Sequence, residues 1–222
     1  MAQLPLDLGH RPALGRTDFL VAPPNAAAIA WLDRWPSWPS PALMLYGAAG
    51  SGKTHLAHVF AAQSGAALID PGALSIERVP ALIAAAAAAV IDNAEIVPEE
   101  ALLHLYNLLA ERGGHLLVVA REPPARWPIR LADLRSRLLA APAVALAAPD
   151  DALLGAVLIK LFADRQLVVG EEVIAYLLVH LERSFAAARR VVAALDRAAL
   201  AARRRVTVPL AREVLAGRMD DD

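Results

Sequence analysis

The chain has 222 residues, enough for one large domain or a domain and a half at about 150 residues per domain, and enough to bury a core without staples. Its 22 basic and 23 acidic residues leave a net charge of −1, so no global field draws it onto nucleic acid or anionic lipid. Cysteine is absent, which excludes disulfide scaffolds, thiolate zinc sites and cysteine nucleophiles and fits a reducing, cytoplasmic setting.

The mean hydropathy of +0.43 is inflated by alanine. The longest uncharged apolar stretch, residues 79–91, contains Pro80 and an alanine run at 84–89, and it falls short of the roughly 20 residues that a membrane span requires. No basic segment followed by an apolar core opens the chain, so no signal peptide is expected. Lys53 and Lys160 are the only lysines.

In chain order, residues 1–17 carry Pro5, Gly9, Pro12 and Gly15 without a period and read as an extended tail. Within it, Leu4, Leu6 and Leu8 alternate behind Gln3. That pattern suits a peptide laid into a partner's groove, with an amide anchor and leucines in pockets; a strand packed on its own domain is the alternative. Residues 25–35 read as a helix with Asn25 as N-cap and Ile29 and Leu32 on one face. Pro36, Pro39 and Pro41 follow as a rigid loop. Trp31, Trp35 and Trp38 are expected to pack, since Arg34 is the only basic neighbour a base-stacking platform would have.

Strands are expected at 42–46, 68–70, 88–92 and 115–120, and helices at 54–63, 76–86 and 98–112. Alternation of this kind implies an α/β fold with a parallel sheet covered on both faces. Beyond Pro149 the pattern becomes helical: Asp150 caps a helix to about 165, a second spans 171–181, Ser184 starts a third to about 204, and Pro209 opens a last one to 215. The expected organisation is a tail (1–12), an α/β domain (13–148) and a small helical domain (149–222).

Residues 47–54 match the phosphate-loop pattern G-x-x-x-x-G-K-[ST] through Gly47, Gly50, Ser51, Gly52, Lys53 and Thr54. Glycines let successive N–H groups point at phosphates, and the following helix adds its positive end. Lys53 would neutralise β- and γ-phosphates, and the Thr54 hydroxyl would hold Mg²⁺. The apolar run 88–91 ending at Asp92 has the form of a Walker B strand, whose acid serves Mg²⁺. Asn93, which follows, cannot act as a base. Glu95 could substitute, although a solvated surface role is the expectation. Residues 131–138 place Arg135 and Arg137 on one segment after the fourth strand, either solvated, paired with Asp133, or functional. His55 and His58 lie three apart, with no third metal ligand evident.

These motifs together make the chain resemble the DnaA family of AAA+ ATPases and, within it, the short Hda-type members that inactivate DnaA. The resemblance runs through the entry segment with Val21 and Asn25, the phosphate loop, 90–93, 105–107, 134–138, 195–197 and 207–209. It implies an AAA+ module binding ADP or ATP with Mg²⁺ through Thr54 and Asp92, with Val21 and Asn25 also at the nucleotide. It implies that Gln3, Leu4, Leu6 and Leu8 bind the DNA polymerase III sliding clamp (the β subunit), and that Arg137 reaches a neighbouring subunit's nucleotide as an arginine finger. The implied function is negative regulation of replication initiation by stimulating hydrolysis of DnaA-bound ATP, in the cytoplasm, without sequence-specific DNA binding or membrane contact; a homo-oligomer is compatible. Departures from the family pattern are Arg121 at the end of the fourth strand, where a polar sensor is usual, and Ala186, where a second sensor arginine falls. With Asn93 they imply weak intrinsic ATPase at most. The rivals are an autonomous ATPase loading DnaA or a helicase, and a clamp-binding adaptor with a vestigial nucleotide site.

Overall fold

Five parallel strands form the centre of the molecule in a computed structural model that describes residues 20–216; Gln3, Leu4, Leu6 and Leu8 lie outside the described residues. The strands are β1 (Ala42–Tyr46), β2 (Ala67–Ile69), β3 (Ala88–Ile91), β4 (His115–Ala120) and β5 (Ala143–Ala145), in the order β2-β3-β4-β1-β5. The helices are α1 (Ala26–Asp33), α2 (Lys53–Ser64), α3 (Val79–Leu82), α4 (Glu99–Glu111), α5 (Ala132–Ala140), α6 (Asp151–Ala163), α7 (Glu171–His180), α8 (Phe185–Ala202) and α9 (Val208–Ala216).

Successive strand residues point to opposite faces, and both faces are covered. Leu43, Leu45, Leu117 and Val119 pack with Ala28 of α1 and Leu56 and Phe60 of α2. Met44, Leu116 and Val118 pack with Leu102 and Leu105 of α4 and Leu134 and Leu138 of α5. Burial on both sides explains why these strands read as unbroken apolar runs. The three tryptophans pack as expected: Trp38 stacks on Phe60 at 5.4 Å, Trp35 meets the same ring edge-on at 5.9 Å, and Trp38 Nε1 donates to the Trp31 carbonyl at 2.8 Å.

The C-terminal helices have a core of their own, built from Leu154, Leu158 and Phe162 of α6, Val173 and Leu177 of α7, Val191, Val192 and Leu195 of α8, and Leu210 of α9. Asp150 and Ser184 cap α6 and α8 through their side chains, accepting from the N–H groups of Leu153 at 2.8 Å and Ala187 at 3.1 Å. Each such cap satisfies one of the helix's orphan donors.

Three expectations are corrected. The helix expected at 76–86 is only the single turn Val79–Leu82, and the alanines that follow form turns before β3. A fifth strand, β5, was not expected; it exists through pairing with β1, with Met44 N–H donating to the Pro142 carbonyl and Leu146 N–H to that of Tyr46. Asn25 precedes α1 but makes no side-chain cap. Its amide turns back on the entry segment, accepting from Ala22 N–H and donating to the Leu20 carbonyl, both at 2.9 Å.

Candidate nucleotide-binding site

Because every strand runs the same way, the loops after β1, β3 and β4 meet at one edge of the sheet, where parallel α/β folds bind ligands. The loop after β1 is the glycine-rich segment. Gly50 and Gly52 adopt φ of +76° and +99°, left-handed conformations that suit glycine, and Gly52 stands at the N-cap of α2. A side chain at Gly47 would collide with the Leu146 carbonyl just after β5.

Lys53 opens α2 and is buried at 8% exposure. Its ammonium donates to the carbonyls of Gly47 at 2.7 Å and Ala48 at 2.8 Å, so the charge lies inside the curve of the loop. Burial pushes its pKa below the ordinary value; Asp92 and Glu95 oppose that shift, and Arg121 adds to it. These three charged groups, two from the segment after β3 and one from the loop after β4, therefore face one lysine.

Thr54, next in α2, donates its hydroxyl to Asp92 Oδ2 at 2.6 Å. The loop after β1 and the end of β3 thus converge at two hard oxygen donors, the type that Mg²⁺ prefers. Asp92 Oδ1 accepts the Asn93 N–H at 2.8 Å, fixing the carboxylate's orientation, while Asn93 takes the left-handed conformation at φ 51°. Ser51 Oγ is buried in the loop with no hydrogen-bond partner. An orphaned hydroxyl in a glycine-rich loop at a helix N-terminus suits an added anionic acceptor, and the residues fit a nucleotide's phosphates with a divalent ion.

Glu95 is not the solvated surface residue that was expected. It is half-buried, one carboxylate oxygen accepts the Arg121 N–H at 3.1 Å, and the other is buried without a partner. Nothing local in the sequence signals this tie, because β3 and β4 must first pair before their following loops touch.

The lid contributes at the same place. Phe185 N–H donates to the Gly50 carbonyl at 3.0 Å, a Cβ on Gly50 would run into Ser184, and one on Gly52 would press on the Phe185 ring at 3.1 Å. The start of α8 therefore rests directly on the phosphate loop. Ala186 follows there, one residue into that contact, and offers no charge.

Val21 and Asn25 form the entry segment. Val21 is exposed at 65% and borders an apolar cleft between α1 and α2, with Ile29, Leu56, Val59 and Phe60. Asn25 is buried and shapes the segment from within; the Pro24 carbonyl accepts from Ala147 N–H beyond β5 at 3.2 Å.

Arg137 lies on α5, outside this cluster. Its guanidinium donates to both carboxylate oxygens of Asp133, at 3.0 and 3.3 Å, and sits over the Tyr106 ring at 5.3 Å. Arg135 is exposed and has no partner among the described residues. Glu99 fixes where α5 begins by accepting the N–H groups of Arg130 and Leu131, at 3.0 and 2.7 Å, and those bonds hold its carboxyl below the ordinary value.

A family model described as the Hda lid domain matches residues 151–215. Domain III of the replication initiation protein DnaA from Thermotoga maritima superposes with a TM-score of 0.79 at 18% identity, covering 93% of this chain and 97% of that one. The chain has the fold of DnaA domain III, and its C-terminal helices match the Hda lid-domain model. AMPPCP-bound DnaA from Aquifex aeolicus matches with a TM-score of 0.67 at 18% identity over 86% of this chain and 66% of that one. The RuvB Holliday junction branch migration motor of Thermotoga maritima matches at 0.70 and 16% identity, over 87% and 66%. The chain thus spans about two thirds of those two longer proteins. Among the described residues, no helix is long and apolar enough to cross a membrane.

Proposed function

We propose that this chain is a cytoplasmic, nucleotide-bound negative regulator of replication initiation, which joins the sliding clamp through Gln3, Leu4, Leu6 and Leu8 and stimulates hydrolysis of DnaA-bound ATP through Arg137. The observation that carries the proposal is the division of labour between two cations. Lys53 is enclosed by its own phosphate loop, whereas Arg137 is held at the surface of α5 by a carboxylate one turn away. A guanidinium outside its own site, in a protein whose lid matches the Hda model, suits service to a neighbour's nucleotide.

In this reading Gly47, Gly50, Ser51, Gly52 and Lys53 hold the phosphates of ADP or ATP, and Thr54 and Asp92 hold Mg²⁺, with Val21 and Asn25 forming the entry side. The metal would supply charge neutralisation at the phosphate oxygens. The chain's own nucleotide then stabilises the module. Arg137 leaves Asp133 and places its planar fork on the γ-phosphate of DnaA's ATP, where charge develops in the transition state. A finger given in trans is worth about 10³–10⁵ in rate.

The deciding experiment is single-turnover hydrolysis of DnaA-bound ATP with and without this protein and DNA-loaded clamp. Stimulation that needs both supports the reading; no stimulation overturns it. The alternative of an autonomous ATPase is favoured by one observation, the partnerless buried oxygen of Glu95 beside Lys53. Turnover near one per second without a partner, lost in Glu95→Gln, would establish that alternative instead.

A further inference from the structure

A net charge of −1 conceals a strong separation of charge. Residues 183–213 carry eight of the chain's arginines against two acids, Asp196 and Glu213, so the remainder of the chain is net acidic. Both acids are already engaged: Asp196 with Arg165 at 3.7 Å, and Glu213 with Arg204 at 2.6 Å.

Of the eight, Arg183 and Arg190 pair with Asp151 and Glu182, at 3.1 and 3.9 Å, and most of the rest lie away from the lid core. The buried residues of α8 are Ala187, Ala188, Val191, Val192, Leu195 and Ala199. Helical spacing places Arg190 and Arg197 two turns apart on the opposite face, with Arg189 on its flank. At the end of α8 the chain turns through Arg203, at φ 50°, so that three consecutive exposed arginines surround the α8–α9 turn. The Arg204–Glu213 bond brings α9, and with it exposed Arg212, beside them. Arg189, Arg197, Arg203, Arg205 and Arg212 have no ion-pair partner among the described residues. From Arg190 to the end of α8 the stripe is about 20 Å long at 1.5 Å per residue.

We propose that this lid face binds duplex DNA through its phosphate backbone, without sequence preference, independently of the reading given above. The charge and length are those of the ligand: duplex DNA presents one negative charge per about 1.7 Å of axis, so a 20 Å stripe faces a dense row of phosphates. A protein partner would call for an apolar centre depleted of charge. Here Leu200 is the sole large apolar residue strongly exposed between Arg189 and Arg212 among the described residues. Arginine forks grip phosphate oxygens bidentately, without reading a base.

The test is fluorescence anisotropy of the full chain with a labelled 30-base-pair duplex of arbitrary sequence between 50 and 200 mM NaCl. With five phosphates neutralised, the log–log slope of affinity against salt is expected at about −4 to −5. The triple variant Arg197→Ala, Arg203→Ala, Arg205→Ala should bind at least tenfold more weakly at 50 mM, with a slope shallower by about 3, and retain its nucleotide affinity as a check on folding. Arg197→Ala alone should flatten the slope by about 1. Arg78→Ala, on the α/β part, should change neither. A wild-type slope near zero, or a triple variant binding as the wild type does, overturns the proposal. Equal affinity for polyglutamate of matched charge also overturns it, assigning the face to an acidic protein.

Discussion

Lys53 and Arg137 stand in one chain and carry the same charge, yet the structure treats them oppositely. Lys53 is enclosed, with two short bonds to carbonyls of its own loop and a depressed pKa from burial. Arg137 is held by a surface ion pair across one helical turn, its side chain 36% exposed. Exposed pairs at this spacing contribute about 0.3–0.5 kcal/mol. An arginine so lightly held can exchange partners at little cost, whereas the lysine is itself buried and tied by two charge-assisted bonds to its own loop. On the proposed function, the inward cation builds this chain's site and the outward one serves a neighbour's.

The sharpest way to break this contrast is at position 137. Arg137→Ala should lower stimulation of DnaA-bound ATP hydrolysis by about 10³-fold or more in single-turnover assays, while Tm moves by about 1 °C. Arg135→Ala should leave most stimulation intact, and lysine at 137 should rescue poorly because it lacks the planar fork. Equal losses at 135 and 137 would remove the distinction. Next in size, Lys53→Ala should weaken nucleotide binding by about 10–100-fold, as expected for losing charged hydrogen bonds of 1.5–3 kcal/mol, read by titration with a fluorescent ADP analogue. An unchanged affinity would show that the enclosed cation builds no site.

Gly50→Ala tests the enclosing loop itself. The residue has φ +76° and a Cβ there would run into Ser184, so we expect about 2 kcal/mol of destabilisation and a Tm drop of about 4–8 °C by calorimetry. The smallest effect is in pH. Burial between Trp35 and Trp38 lowers the His115 pKa from its ordinary 6.5. The unfolded chain then takes up a proton near 6.5 while the folded one resists, so stability should fall as pH drops below about 7 and level off once the folded value is passed. Urea midpoints between pH 8 and 5 read this slope, and His115→Gln should shrink it.

The sequence made much of this architecture legible where the signal is local. The phosphate loop declares itself by glycine spacing, β4 by its apolar run, and the caps Asp150 and Ser184 by residue type before a helical period. The Arg137–Asp133 pair follows from i,i+4 spacing alone. What stayed hidden depends on tertiary contact. β5 is three residues, Ala143–Ala145, with neither length nor alternation to mark it, and only β1 makes it a strand. Alanine favours helix anywhere, so the composition of 76–86 points to a longer helix than Val79–Leu82, although the chain there must turn into β3. Asn25 carries the chemistry of a cap, but its amide is spent on residues before it. Glu95 and the Ser184–Phe185 contact required knowing which strands are neighbours and where the lid comes down.

The bond from Phe185 N–H to the Gly50 carbonyl ties two equilibria into a single thermodynamic cycle. If a phosphate ligand binds more tightly when α8 rests on the loop, it must favour that resting position by the same factor, whichever event comes first. Anything that holds the lid helices from outside, including a partner or polyanion on their far side, then alters nucleotide affinity without touching the nucleotide. Occupancy of the loop would in turn be reported at the surface of the lid.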